Sequence, residues 1–242
     1  MSTESYQIEV NGLPVDVVRK DIKNMHLGVY PPQGRVRVAA PLAMDDAAVR
    51  LAVIGKLGWI KRQQGRFEGQ ARQSQRKMIS GECHYFLGRP YRLKVIEEQG
   101  AARVVPRNRS FLDLYVRPSL SAEKREEVLL KWYRAQLKDL IPPLLAQWQP
   151  ILGVEVADWR IKKMKTKWGT CNVDARRIWL NLELAKKPVG CLEYIVVHEL
   201  MHLLERRHND RFIDLMETHL PQWRLLRDEL NRAPLGHDRW DY

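Results

Sequence analysis

Residues 198–208 have the side-chain types and the spacing of a metal-dependent hydrolase site. The segment contains His198 followed directly by Glu199, then His202, and a third histidine at His208. Helix residues four apart lie on one face, so the imidazoles of His198 and His202 can reach a single ion. Two such histidines with a glutamate after the first form the H-E-x-x-H pattern that is typical of zinc hydrolases.

The position of Glu199 in this pattern indicates a separate role. Its side chain is rotated about 100° from that of His198 around the helix axis, so it cannot bind the ion beside the two histidines. The carboxylate can instead take a proton from a water in the open coordination position, whose pKa the metal lowers to about 7. We therefore predict one Zn²⁺ per chain, with Glu199 as the catalytic base.

A third ligand requires the helix to end before His208. In an unbroken helix, this residue would point about 240° away from His202. It can coordinate only if the helix ends near residues 205–207 and the chain turns. The Asn-Asp pair that follows can cap a new helix, which favours such a turn. Glu205 and Glu217 are alternative ligands, and for Glu205 an indirect role is favoured.

The metal helix can be recognised by its own pattern. Pro188 suits its first turn. Four apolar residues recur at helical spacing on the side opposite the histidines, and this predicts a core face separate from the metal face: Leu192, Val196, Leu200 and Leu203.

The chain before this helix, between residues 159 and 181, is typical of a β-hairpin. An edge strand beside a metal site can bind an extended substrate through backbone hydrogen bonds. Lys163, Lys165 and Lys167 alternate and would share one strand face. That face could hold a carboxylate or phosphate, or the charges could simply prevent aggregation of a sheet edge. Lys165 and Trp168 are the candidate substrate-binding residues.

The remaining elements predict an α+β fold. A β-rich antiparallel region with one long helix is expected over residues 1–118. A metal-binding catalytic region, a small sheet plus the H-E-x-x-H helix, is expected over 119–242; the alternative is that the two regions form one continuous domain. Strands are predicted at residues 6–10, 15–18, 27–30, 36–38, 83–87, 91–96, 103–105 and 111–116. Helices are predicted from Asp45 or Asp46 through Ile60, from Ser121 with a break or kink at Pro142-Pro143, and from about Pro221 to Arg232.

Bulk composition limits the class of protein. The chain has 242 residues, 45% hydrophobic and 29% charged, with a formal net charge of +12. No apolar run approaches the ~20 residues of a membrane span, and no signal-peptide pattern is visible. Three scattered cysteines favour a reducing, cytoplasmic location. The basic surplus could attract nucleic acid, nucleotides or an anionic surface, or could simply solvate the protein.

Several segments closely resemble the YgjP-like family, bacterial metallopeptidase-type proteins related to the WLM and SprT-like zincins. They are the Met-Lys-Thr-Lys-Trp-Gly-Thr-Cys run at 164–171, residues 178–181, the segment 193–202, His208-Asn209 with Phe212, and Pro221-Gln222-Trp223. A looser likeness covers residues 81–91. The resemblance implies His198, His202 and His208 as zinc ligands and Glu199 as the base. Members of this family are described as metal-dependent hydrolases, and some carry the label UTP pyrophosphatase.

Three functions compete. The first is zinc-dependent hydrolysis of peptide bonds, favoured by the metal motif and the edge strand. The second is hydrolysis of a nucleotide phosphoanhydride, favoured by basic residues such as Arg206 and Arg207; the lack of an acidic cluster for Mg²⁺ weakens it. The third is a nucleic-acid-associated module with structural zinc. It ranks last because three histidines beside a glutamate are typical of an open catalytic site.

Overall fold

The computed structural model describes residues 5–30, 34–68, 76–164 and 167–232. These residues pack as two compact units, an N-terminal unit (residues 5–68) and a C-terminal unit (residues 76–232). Each has its own hydrophobic core. Both combine sheet with helix, so the α+β class is confirmed. The predicted regional boundary at residue 118 lies in the turn before the longest helix, and a division at that point stays a prediction.

The N-terminal unit is one four-stranded sheet with two helices. Its elements are β1 (Ser5–Val10), β2 (Leu13–Lys20), β3 (His26–Tyr30), β4 (Arg35–Pro41), α1 (Asp46–Ile54) and α2 (Leu57–Glu68). The four predicted strands are present, in the order β1-β2-β4-β3. The sheet is mixed, because β4, which lies between β2 and β3, runs parallel to β2 and antiparallel to β3.

The helix predicted through Ile60 is divided into α1 and α2. Asp45 caps α1 as expected, its carboxylate accepting a hydrogen bond from the amide of Ala48. The amide of Lys56 donates to the carbonyl of Val53, three residues back, at 3.0 Å. This tighter bond ends α1, and the chain starts again as α2.

The C-terminal unit contains two sheets and the helices of the candidate site. Its elements are β5 (Cys83–Phe86), β6 (Arg89–Glu97), β7 (Arg103–Arg107), β8 (Phe111–Val116), α3 (Ala122–Leu152), β9 (Asp158–Lys162), β10 (Gly169–Asn172), β11 (Arg177–Asn181), a 3₁₀ helix (Leu182–Lys186), α4 (Val189–Met201), α5 (Asp210–His219) and α6 (Trp223–Arg232). The sheet orders are β5-β6-β8-β7 and β10-β11-β9. β10 and β11 form the predicted hairpin, and β9 runs parallel to β11.

The two four-stranded sheets repeat one topology. In each, two hairpins lie side by side with their central strands parallel, and a capped helix follows. The glycines of the first hairpin turns, Gly12 and Gly88, both have positive φ and lie 76 residues apart. The helix caps Asp45 and Ser121 are separated by the same 76 residues. Both the strand order and the spacing from turn to cap are therefore repeated.

The β5–β6 turn supports the start of the metal-site helix. The amide of Leu87 donates to the carbonyl of Ala185 at 2.9 Å, and the amide of Gly88 donates to that of Lys186 at 3.2 Å. A Cβ at Gly88 would lie 2.7 Å from Cγ of Pro188, so only glycine permits this approach. The four-stranded sheet of this unit thereby contacts the residue that precedes α4.

Helix α3 runs through Pro142 and Pro143, so the break predicted as one of two outcomes does not occur, and the alternative, a kink, stays a prediction. Residues on both sides of the prolines, such as Leu137 and Leu145, are buried in one core, and this packing offsets the lost helical hydrogen bonds. Within the described residues, no helix is long and apolar enough to cross a membrane.

Candidate metal centre and catalytic cleft

The helix that carries His198 and Glu199 is α4, and it is buried on nearly every side. It begins after Pro188, as the sequence predicts, but ends at Met201, several residues earlier than expected. The amide of Glu205 still donates to the carbonyl of Met201 at 2.9 Å. The carbonyl of Glu205 lies 3.1 Å from Nδ1 of His202 instead of continuing the helix. This contact stabilises the turn that ends α4.

The turn brings His208 back to the helix. Asn209 caps α5, its side-chain oxygen accepting a hydrogen bond from the amide of Phe212 at 3.0 Å. This is one of the two caps that the sequence favours. With α5 started there, Nε2 of His208 lies 3.0 Å from Nε2 of His198.

Three imidazoles converge at this point. The candidate ligand nitrogens of His198, His202 and His208 all lie within 4.8 Å of one another, and in the described part of the chain no other group of three possible metal ligands meets this condition. The alternative ligands are engaged elsewhere. The carboxylate of Glu205 accepts a hydrogen bond from the amide of Arg207, and Glu217 pairs with Arg224.

The protonation of the histidines fits a metal site. Because a carbonyl oxygen only accepts, Nδ1 of His202 carries the proton towards Glu205, and its Nε2 keeps a lone pair. Burial and the two neighbouring imidazoles lower the pKa of His198 to about 3. Burial also lowers the pKa of His202. Neutral imidazole is the metal-binding form. Zn–N bonds of about 2.0–2.1 Å in a tetrahedron separate ligand nitrogens by roughly 3.3 Å, close to the 3.0 Å between His198 and His208.

Phe212 packs against all three histidines. Its ring centroid lies 5.0, 4.9 and 4.8 Å from those of His198, His202 and His208. The side chain is only 3% exposed, so it restricts the orientation of each imidazole. The sequence predicts a helix at Phe212 but does not by itself indicate this contact. The available signal for it was the spacing of four residues from His208, across the helix cap.

Glu199 lies against the backbone of β10. A Cβ at Gly169 would lie 2.7 Å from Cγ and 2.8 Å from Cδ of the glutamate, so any side chain there would displace it. Glu199 is 4% exposed, and its buried Oε2 has no hydrogen-bond partner among the described residues. Burial raises the pKa of Glu199 to about 8, against the opposing effect of Lys167. The carboxylate is thus held beside the histidines in an environment that favours proton uptake.

A cleft of about 400 Å³ contains the histidines and Glu199. Its other walls come from α4, β10, α6 and the connection before β10. Trp168, a predicted substrate-binding residue, lines it. Lys165, the other, lies outside the described residues. Lys163 and Lys167 do not share a strand face, since β9 ends at Lys162 and β10 begins only at Gly169.

Asn181 holds the connection that carries Lys167 and Trp168. Its amide nitrogen donates to the carbonyls of Met164 and Lys167, each at 2.8 Å. Its side-chain oxygen accepts from the amides of Met164, at 3.2 Å, and Glu183, at 3.1 Å. This buried side chain therefore positions one wall of the cleft, a role that its strand-end position in the sequence did not reveal.

Tyr194 lines the cleft and is supported by Trp223. Tyr194 precedes His198 by one helical turn, with ring centroids 5.8 Å apart. Trp223 of α6 stacks on Tyr194 at 6.4 Å and 19°. Burial raises the pKa of Tyr194 to about 12, so its hydroxyl stays protonated at neutral pH. Tyr194 therefore contributes an aromatic side chain to the cleft, and its spacing of one turn from His198 was the available signal. No local spacing relates Trp223 to the metal site.

Comparisons with known proteins identify the family of the chain. No curated protein matches the chain. Among solved structures, the metallopeptidase zymogen of Pyrococcus abyssi abylysin matches at 24% identity and a TM-score of 0.34, over 38% of this chain and 97% of that one. The model of the YgjP-like metallopeptidase domain matches residues 24–233. The chain therefore belongs to the YgjP-like metallopeptidase family.

Proposed function

We propose that this protein is a zinc-dependent peptidase whose ion is held by His198, His202 and His208. The observation that carries the proposal is the convergence of three imidazoles beside a buried carboxylate in an open cleft. Three histidine ligands leave a fourth position for water or substrate, as catalytic zinc sites do.

The zinc ligands and Glu199 have separate roles in this proposal. Bound zinc would supply a Lewis acid that polarises a carbonyl group and lowers the pKa of water to about 7. Glu199 takes a proton from the attacking water at its carboxylate and delivers it to the leaving amine. The Nδ1–H of His202, donated to the carbonyl of Glu205, keeps its Nε2 directed towards the ion.

Peptide is favoured as the substrate class by the strand beside the cleft. β10 is the edge strand of its sheet, and in the described part of the chain it pairs on one side only, with β11. Gly169, Thr170 and Cys171 of this strand line the cleft. An extended peptide can add to such an edge by backbone hydrogen bonds, which carries its scissile carbonyl past the histidines.

Nucleotide pyrophosphate hydrolysis is the second candidate. It is supported by the cations that line the cleft, Lys167, Arg206 and Arg227. Against it, the described residues offer no carboxylate cluster of the kind that holds Mg²⁺ for phosphoryl transfer. Binding of nucleic acid by the basic surface also stays a prediction.

The test is the variant Glu199→Gln, with Glu205→Gln as the matched control. We expect both proteins to retain about one zinc per chain, measured by elemental analysis. Loss of the base should lower peptide kcat by 10²-fold or more, whereas Glu205→Gln should remain active. His202→Ala should lose zinc. Nucleotide hydrolysis that disappears in Glu199→Gln, with no cleavage of peptides, would replace the peptidase with the second candidate.

A further inference from the structure

The charges that line the cleft are unbalanced. Among the described residues of its wall, Lys167, Arg206 and Arg227 are cationic, and Glu199 is the single carboxylate. Glu199 is buried and is needed for proton transfer in the proposed function. The side chains that line the cleft therefore include more cations than carboxylates, which favours an anionic group on the substrate.

The three cations differ in what they already contact. Arg206 forms an ion pair with Asp174, and both side chains are strongly exposed. Lys167 is exposed and lies two residues before the start of β10. Arg227 is 43% exposed, and its Nε and Nη2 each donate to the carboxylate of the adjacent Asp228 at 3.2 Å. Nη1 of Arg227 has no hydrogen-bond partner recorded among the described residues, so this side of the guanidinium can receive a ligand.

Aromatic packing connects Arg227 to the metal centre. Its guanidinium carbon lies 5.1 Å from the ring centroid of Trp223, which stacks on Tyr194, which in turn contacts His198. The aromatic face covers one side of the guanidinium and restricts its movement. A planar guanidinium held in this way is suited to a carboxylate, which it can bind through charge-assisted hydrogen bonds.

We propose that Arg227 binds a carboxylate of the peptide substrate near the scissile bond. The carboxylate can belong to an acidic side chain or to the C-terminus of the peptide. This inference rests on the proposed peptidase function, because it places the anion on a peptide rather than on a nucleotide. It makes Arg227 a specificity-determining residue, with no part in proton transfer.

Arg224 provides a matched control on the same helix. Its guanidinium carbon lies 4.7 Å from the ring centroid of Trp223, and it forms an ion pair with Glu217. It is not among the residues that line the cleft. Arg227→Gln and Arg224→Gln therefore remove the same charge and the same aromatic contact, but only the first changes the wall of the cleft.

The experiment compares internally quenched peptides that carry Glu or Gln at each position around the cleaved bond, with free or amidated C-termini. We expect the wild-type protein to cleave peptides with a carboxylate at one position faster than the others. That position shows whether the preferred carboxylate belongs to a side chain or to the C-terminus. Arg227→Gln should reduce kcat/KM for the acidic peptide about tenfold relative to its neutral counterpart. Arg224→Gln should keep the wild-type preference. Equal melting temperatures would show that both variants are folded.

A binding measurement separates the inference from the proposed function. In the zinc-loaded Glu199→Gln variant, calorimetry should show that the acidic peptide binds more tightly than the neutral one. Adding Arg227→Gln should remove this difference in affinity. Cleavage by wild type without a preference for carboxylates would overturn the inference and leave the peptidase intact. Absence of peptide cleavage would overturn the peptidase, and the binding measurement would then decide the inference. Tighter Arg227-dependent binding of UTP than of any peptide would overturn the inference in favour of a phosphate ligand.

Discussion

At the scale of single residues, the site depends on neighbours that contact the histidines and the glutamate but neither bind metal nor transfer protons. Phe212 packs on all three imidazoles, and the missing side chain at Gly169 makes room for Glu199. These contacts restrict the rotamers of the reacting groups. Errors of about 1 Å in the position of a catalytic group are enough to reduce a rate about a hundredfold.

Gly169→Ala is expected to reduce activity without removing the metal. The new methyl group would overlap the side chain of Glu199, which must move out of its place beside the histidines. We expect kcat to fall at least tenfold while zinc content stays unchanged. The measurement pairs peptide turnover with elemental analysis.

Gly65→Ala is the control for this substitution. A Cβ at Gly65, in α2 of the N-terminal unit, would meet no atom within 4 Å, and full activity is expected. If Gly169→Ala were as active as Gly65→Ala, the close packing of Glu199 on β10 would have no role in catalysis.

At the scale of elements, the site is built where α4 ends and α5 begins. α4 supplies His198 and Glu199, His202 is the C-cap that directly follows it, and the turn after it supplies the third histidine. The start of α5 determines where His208 and Phe212 lie. The cap at Asn209 is therefore coupled to the metal site, although it contacts no ion itself.

Asn209→Ala is expected to weaken zinc binding. Loss of the cap removes the acceptor for the amide of Phe212 and should cost about 1 kcal/mol of helix stability. The first turn of α5 then orders less well, and we expect the zinc dissociation constant to rise several-fold. Competition with a chromophoric chelator measures this change.

Asn209→Ser keeps a capping oxygen and should restore wild-type affinity. The same weakening in both variants would mean that the cap is not the cause. Unchanged affinity in the alanine variant would separate the start of α5 from the position of His208.

At the scale of the whole molecule, the candidate site belongs to one of two compact units. Every residue of the cleft lies between 167 and 231, in the C-terminal unit. That unit has a continuous core that joins its four-stranded sheet, α3 and α4. The N-terminal unit has a separate core formed by its own sheet and helices.

A protein that begins at residue 74 should fold and bind zinc without the N-terminal unit. The core of the C-terminal unit contains residues from Met78 to Leu230, so it does not need the missing segment for burial. We expect cooperative thermal unfolding by circular dichroism and about one zinc per chain. The same fragment with His202→Ala is the control for metal content. A fragment without a cooperative transition would show that the two units fold only together.

Much of the site could be predicted from local sequence. The spacing of His198, Glu199 and His202 predicts their arrangement because helix geometry relates residues one turn apart. The cap at Asn209 follows from a side chain that accepts a hydrogen bond from a free backbone amide. The starts of α4 and α6 follow prolines, whose fixed φ suits the beginning of a helix. The strands of both four-stranded sheets also agree with their alternating patterns. Assignment of the three histidines as zinc ligands stays a prediction.

Only the tertiary structure decided which distant residues meet. Gly169 and Arg227 come from β10 and α6, and no short-range period relates them to His198. The parallel pairing of β2 with β4 and the continuation of α3 through its prolines likewise depend on packing between elements. Local periodicity reports which face of an element is buried. The partner of that face depends on packing across the whole chain, and here this packing formed the walls of the cleft.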